Sequence, residues 1–199
     1  PLPGLPAKRL TTPLRLITVC RLAPNKRVDH AVRVVKLLTD RNVPAHLTVV
    51  GSGEVQSDLK QLVRELGLDM QVTFTGSLAE PQKNEQLMRA HVLLHTSVRE
   101  GWGLNVIEAN ALGTPAVVYP VAGLVDSTVH GETGCVVKSE TPEALADELQ
   151  ALTREPARYD SYRLQAWQRS QQFQWSITAE QTCVWLEQQA ARSYPNPRG

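Results

Sequence analysis

The chain reads as an α/β protein, a parallel sheet covered by helices on both faces. Two observations predict this. Short, apolar, β-prone runs alternate strictly with amphipathic stretches of helical period from residue 14 to residue 138. Several runs end in glycine or in a charged loop, at Gly51-Ser52-Gly53, Gly76 and Glu100-Gly101-Trp102-Gly103. Such punctuation marks a strand handing over to a crossover helix. A chain of 199 residues with 42% hydrophobic content can bury one sizeable core.

The elements follow in order. Residues 1–12 hold three prolines and one glycine without periodicity, which suits a linker or flexible start over residues 1–13. A strand at 14–20 leads through a polar loop at 21–27 into a helix at 28–41. A strand at 47–50 closes on Gly51-Ser52-Gly53, and 55–66 is amphipathic, with Leu59, Leu62, Val63 and Leu66 on one face. Next come a strand at 72–75 ending at Gly76, a short helix at 82–90, a strand at 92–95 and a helix at 105–112. A strand at 116–119, a loop with a short helix at 122–130 and a strand at 135–138 complete the alternation. Helices at 142–153, 156–172 and 177–191 finish the pattern, and residues 192–199 read as a tail.

Charge and cysteine usage exclude several functions. Twenty-one basic and 20 acidic residues give a formal net charge of +1, so no global field recruits nucleic acid or an anionic membrane. Cys20, Cys135 and Cys183 are odd in number and widely spaced, which suits buried thiols in a reducing compartment over a disulfide framework. No secretory signal and no apolar run near the ~18 residues that span a bilayer are visible. The chain therefore reads as soluble and cytoplasmic, with peripheral association at the inner face of the membrane left open.

In a doubly covered parallel sheet, ligands bind at the carboxyl ends of the strands beside a topological switch point. The loops after the first four strands carry Arg21 and Lys26, Gly51 and Gly53, Gly76, and Glu100 to Gly103. All four open on the same edge. Glu100 and Glu108 stand eight positions apart around a Gly-x-Gly turn, about 12 Å if helical throughout. A helix starting just after the glycines would aim backbone N–H groups and its dipole at an anion between the two carboxylates. A nucleotide diphosphate sugar has that layout. Arg21 and Lys26 alone would be ordinary surface charges; beside this segment they read as neutralising a diphosphate.

Other constellations are weaker. Gly51-Ser52-Gly53 lacks the third glycine of a dinucleotide fingerprint, because that position is Gln56, so it reads as a tight turn near a nucleotide. His91 and His95 on a strand lie about 13 Å apart and cannot chelate one ion. No metal site is expected. Ser97, Ser127 and Ser139 lack a nucleophile elbow. Trp102 either packs under its loop or lines a sugar pocket, while Trp167, Trp175 and Trp185 read as helix-packing residues. The turn at Ala122-Gly123-Leu124-Val125-Asp126 either faces an anion or is capped by Asp126 or Ser127.

Taken together, these residues resemble the carboxy-terminal domain of the group 1, glycogen-synthase-like retaining glycosyltransferases. The matching motifs are Val19-Cys20-Arg21-Leu22-x-x-x-Lys26, Val49-Val50-Gly51-x-Gly53, Val72-x-Phe74-x-Gly76 and Glu100-Gly101-Trp102-Gly103-Leu104-x-x-x-Glu108-Ala109. Gly113-x-Pro115, Gly123 and Gly131-x-Thr133-Gly134 follow, so the likeness covers residues 14–191. The resemblance implies a Rossmann-like domain forming one half of a GT-B two-domain fold. It implies that Arg21 and Lys26 bind the donor's diphosphate, that Glu100 contacts the donor sugar and that Glu108 accepts from the ribose hydroxyls. The amides of Gly103, Leu104 and Asn105 would hold phosphates, and the loop around Gly76 would meet the base. Neither a metal nor another cofactor is implied, and the configuration at the anomeric carbon is retained.

The chain departs from that pattern at Cys20 and Arg27, where glycines flank the Arg and the Lys, and at Trp102, Ala122 and Asp126. The resemblance also implies an amino-terminal acceptor domain outside these residues, with the helix at 177–191 packing toward it. The expected partners are thus a nucleotide-sugar donor and that domain, with no nucleic acid. Two rival functions share the architecture: a nucleotide-sugar epimerase, which leans on extra carboxylates and histidines not evident here, and a non-catalytic sugar-nucleotide-binding subunit.

Overall fold

Strands covered on both faces need apolar side chains on both. Leu14, Leu16 and Ile17 of β1 (Leu14–Val19) and Val92, Leu93 and Leu94 of β4 (Val92–His95) are all buried. The computed structural model, which describes residues 4–173 and 175–193, arranges six parallel strands in the order β3-β2-β1-β4-β5-β6. The others are β2 (Ala45–Val50), β3 (Val72–Gly76), β5 (Ala116–Val118) and β6 (Gly134–Val136). Register runs from Leu14 opposite Ala45 to Val19 opposite Val50, and Leu16 of β1 lies opposite Val92 of β4.

The helices form two layers, as right-handed crossovers to either side of β1 require. On one face α1 (Val28–Asp40) packs with α2 (Gln56–Glu65) and α6 (Pro142–Arg154). On the other, α4 (Leu104–Ala111) packs with α3 (Glu80–Arg89), α5 (Leu124–Ser127) and α7 (Pro156–Ser170). Val28, Ala31, Val32, Val35 and Leu38 give α1 its buried stripe. Valine is a poor helix former, so tertiary packing and not propensity holds this helix. The expected loop and short helix at 122–130 holds the single turn α5, which ends where Thr128 is extended.

The proline-rich start has no regular structure but, over the described residues, is pinned in place. Lys8 Nζ donates to Ala90 O at 2.7 Å and to Thr114 Oγ1 at 2.5 Å, beside the carboxyl ends of α3 and α4. Buried Arg163 donates to the Lys8 carbonyl at 2.7 Å and to that of Pro6. The Lys8 amine satisfies the Ala90 carbonyl at the end of α3, and this contact docks the strap there.

Helix α8 (Trp175–Ser193) contains the expected 177–191. Trp185 is 57% exposed on it, contrary to the expectation that it packs between helices. Trp167 is half-buried in α7; the Trp175 side chain and residues 194–199 lie outside what is described. Cys135 is buried and Cys20 half-buried, but Cys183 is exposed, so burial does not account for all three thiols. Among the described residues no helix is long and apolar enough to cross a membrane.

Candidate functional site

β1 and β4 are neighbours, and their other partners, β2 and β5, lie on opposite sides. Their loops therefore part and open a crevice at the switch point. From β1 the chain turns through a 3-10 turn, Pro24–Lys26, and from β4 it enters the glycine loop. Lys26 Nζ donates to Glu100 Oε1, Ser97 Oγ donates to the same oxygen at 2.7 Å, and His95 Nε2 lies 3.5 Å from it. The Lys26 and Glu100 side chains are only 20% and 18% exposed.

This burial governs the charges. Desolvation pushes the His95 imidazole down to about 4, against the pull of Glu100, so the ring is neutral near pH 7. Burial alone would raise Glu100, but hydrogen bonds from Lys26 and Ser97 outweigh it and hold the carboxyl below the usual range. The site thus holds an ionised carboxylate with a neutral imidazole beside it.

Helix α4 begins just after the glycines, as the order of strand, glycine loop and helix suggested. Gly103 is its N-cap at φ 71°, so Glu100 lies in the loop and the helical distance estimate does not apply. The amides of Leu104 and Asn105 stand in the first turn, where helical N–H groups have no acceptor within the helix. Asn105 Nδ2 donates to Val19 O at 2.8 Å and ties that turn to the end of β1. Glu108 sits one turn further on, where its Oε2 accepts from Lys83 Nζ of α3 at 2.8 Å.

The glycines have mechanical reasons. A Cβ at Gly51 would lie 1.9 Å from Cys20 O and one at Gly53 2.2 Å from Leu22 O, so the β2–α2 turn can press on the β1 loop only without side chains. Gly51 N–H donates to Gly76 O at 2.8 Å, which joins that turn to the β3 loop. Gly123 at φ 79° would place a Cβ 2.5 Å from Glu100 O, so the α5 turn backs the glycine loop. Neither Asp126 nor Ser127 caps α5 through its side chain; Ser127 Oγ donates to Leu124 O instead. Trp102 packs edge-on against Phe173 with ring centroids 4.7 Å apart.

Lys26 and Glu100 meet, and Asn105 stands beside His95 through a side-chain hydrogen bond. Arg21 does not join them. It is 73% exposed and its ion partner is Glu54, at 3.8 Å. His95 and Ser97, weighed only as a metal ligand and a nucleophile, prove to be partners of Glu100. Their positions five and three residues before that glutamate were the available signal. Lys83 had none, since its contact with Glu108 spans 25 residues. His91 accepts from Arg15 N–H at 3.0 Å and stays in the core. Among the described residues, no three His, Cys, Asp or Glu side chains could hold a metal ion together.

A family model described as glycosyl transferases group 1 matches residues 7–169. The chain is 34% identical over 170 residues to the D-inositol 3-phosphate glycosyltransferase of Rhodococcus erythropolis, covering 81% of this chain and 38% of that protein. A protein of the same name from an Arthrobacter species is 31% identical over 180 residues, covering 88% and 42%. The chain thus spans about two-fifths of the length of these relatives. Among solved structures, sucrose-phosphate synthase from Thermosynechococcus elongatus superposes with a TM-score of 0.79 at 26% identity, covering 94% of this chain and 47% of that one. Anabaena HepE in complex with UDP gives 0.79 at 21% identity, covering 88% and 49%, a likeness of fold alone.

Proposed function

The chain belongs to the group 1 glycosyl transferases, and from that premise we propose that it is the donor-binding half of a retaining hexosyltransferase. The donor is a nucleotide diphosphate sugar, laid along the crevice between the β1 and β4 loops. What carries this reading is the Lys26–Glu100 pair at the switch point, beside the open first turn of α4. Lys26 and the amides of Leu104 and Asn105 face the diphosphate, and exposed Arg21 swings in from the rim. Glu108 takes the ribose hydroxyls, the Gly76 loop meets the base, and Glu100 addresses the sugar. The solved HepE complex with UDP and the inositol phosphate relatives support this class of donor and of transfer.

Transfer breaks the bond between the anomeric carbon and the diphosphate and forms one to an acceptor oxygen on the same face, whose hydroxyl proton passes to the departing phosphate oxygen. The pair left on the departing phosphate oxygen is stabilised by Lys26 and the helix amides, so no metal ion is required. The acceptor, a glycan, lipid or small molecule, would be held by an amino-terminal domain.

Calorimetry of this chain in EDTA, with UDP, GDP and ADP against their nucleosides, tests the phosphate assignment. Lys26→Ala removes a charge-assisted contact of about 1.5–3 kcal/mol and is expected to weaken the diphosphate tenfold or more while sparing the nucleoside. Equal binding by parent and variant, or a strict need for Mg²⁺, would contradict it.

A further inference from the structure

We propose that Arg27 is a positioning residue of the donor site, a clamp that presents Lys26 and Ser97 to one oxygen of Glu100. The proposal rests on the donor reading above and deepens it. Arg27 links the 3-10 turn to α1 at φ 46°, a left-handed conformation that a residue with a side chain holds only when its contacts enforce it. Glycine stands here in the pattern the sequence resembles.

The contacts are specific. Arg27 Nε donates to Thr96 O at 2.8 Å and Nη2 to Ser97 O at 3.0 Å. In return Thr96 Oγ1 donates to Lys26 O at 2.8 Å and to Arg27 O at 2.9 Å. Nη2 also reaches Glu140 Oε2 at 2.7 Å, before α6, and the guanidinium lies 4.7 Å over the Tyr119 ring. One side chain, 18% exposed, therefore joins the loops after β1, β4 and β6. Only a planar fork can take two successive carbonyls and an aromatic face together, so lysine is no substitute. Lys26 and Ser97 are direct neighbours of the clamped atoms, which fixes the spacing between the phosphate-facing ammonium and Glu100.

The test is calorimetry on this chain with UDP and uridine, and with the GDP–guanosine and ADP–adenosine pairs alongside. Arg27→Gly suits the backbone at φ 46°, so the fold is kept while the clamp is lost. Arg27→Gly and Arg27→Lys are each expected to lose about tenfold in affinity for the diphosphate and less than about twofold for the nucleoside. In a Lys26→Ala background, Arg27→Gly should cost less than about twofold more, because it acts through Lys26. Parent-like diphosphate binding by either variant, equal loss of nucleoside and diphosphate, or full additivity with Lys26→Ala would overturn the clamp. A Lys26→Ala variant that binds the diphosphate like the parent would overturn the donor reading and this proposal with it. If Lys26→Ala loses affinity and the Arg27 variants do not, the clamp alone falls.

Discussion

Glu108 Oε2 accepts from Lys83 at 2.8 Å, yet the glutamate side chain is still 46% exposed. A carboxylate with one edge anchored and the other toward solvent is oriented to accept from a ligand's hydroxyls. Glu108→Gln should therefore cost ribonucleoside diphosphates roughly tenfold in affinity, with 2′-deoxy analogues losing less because one hydroxyl is already gone. Competition calorimetry would read this, and equal losses would make Glu108 structural. At this scale the sequence showed the charged groups and hid their partners. Lys26 stands out by type and by its place in the loop after β1, and Glu100 by type and by the glycines that follow it. Ser97 and His95 acquire meaning only when the strand end aims them at one carboxylate oxygen. Arg21 stands apart at the rim, because a cation in the right loop need not touch Glu100.

At the scale of elements, loops press on loops through glycines. Gly123→Ala puts a Cβ into space 2.5 Å from Glu100 O, at a φ of 79° that L side chains resist. The conformation alone costs about 1–2 kcal/mol, and the clash adds to it. Urea unfolding should show a clear loss of stability, and nucleotide affinity should fall because the displaced backbone carries Glu100. Unchanged stability and affinity would mean that α5 does not back the glycine loop. The alternation of strands and helices was legible, since strands covered on both faces read as short apolar runs and the helices between them by their period of 3.6. The strap at residues 4–12 was not, because its order comes from Lys8 and Arg163 reaching carbonyls far along the chain. Nor was the end of α5, where Thr128 turns extended.

Over the whole molecule, burial of imidazoles sets the response to acid. Burial, the leading cause for both, holds His91 and His95 down at about 4, against about 6.5 for an unfolded chain. Between those values the unfolded state binds more protons, so the contribution of these two imidazoles to stability is complete above about pH 6.5 and is lost as pH falls toward 4. The urea midpoint should drop across that window, and His91→Gln should make the drop shallower; a flat midpoint would contradict this. On the function proposed above, these residues complete a donor pocket and leave acceptor binding to another domain. Transfer needs an acceptor within about 3–3.5 Å of the reacting carbon in a cleft closed to water. One measurement tests this most directly: nucleotide binding and sugar transfer followed side by side, for this chain alone and with an amino-terminal domain attached. Binding by the chain alone without turnover, and turnover only once that domain is present, is the predicted result; robust transfer by these 199 residues unaided would contradict it.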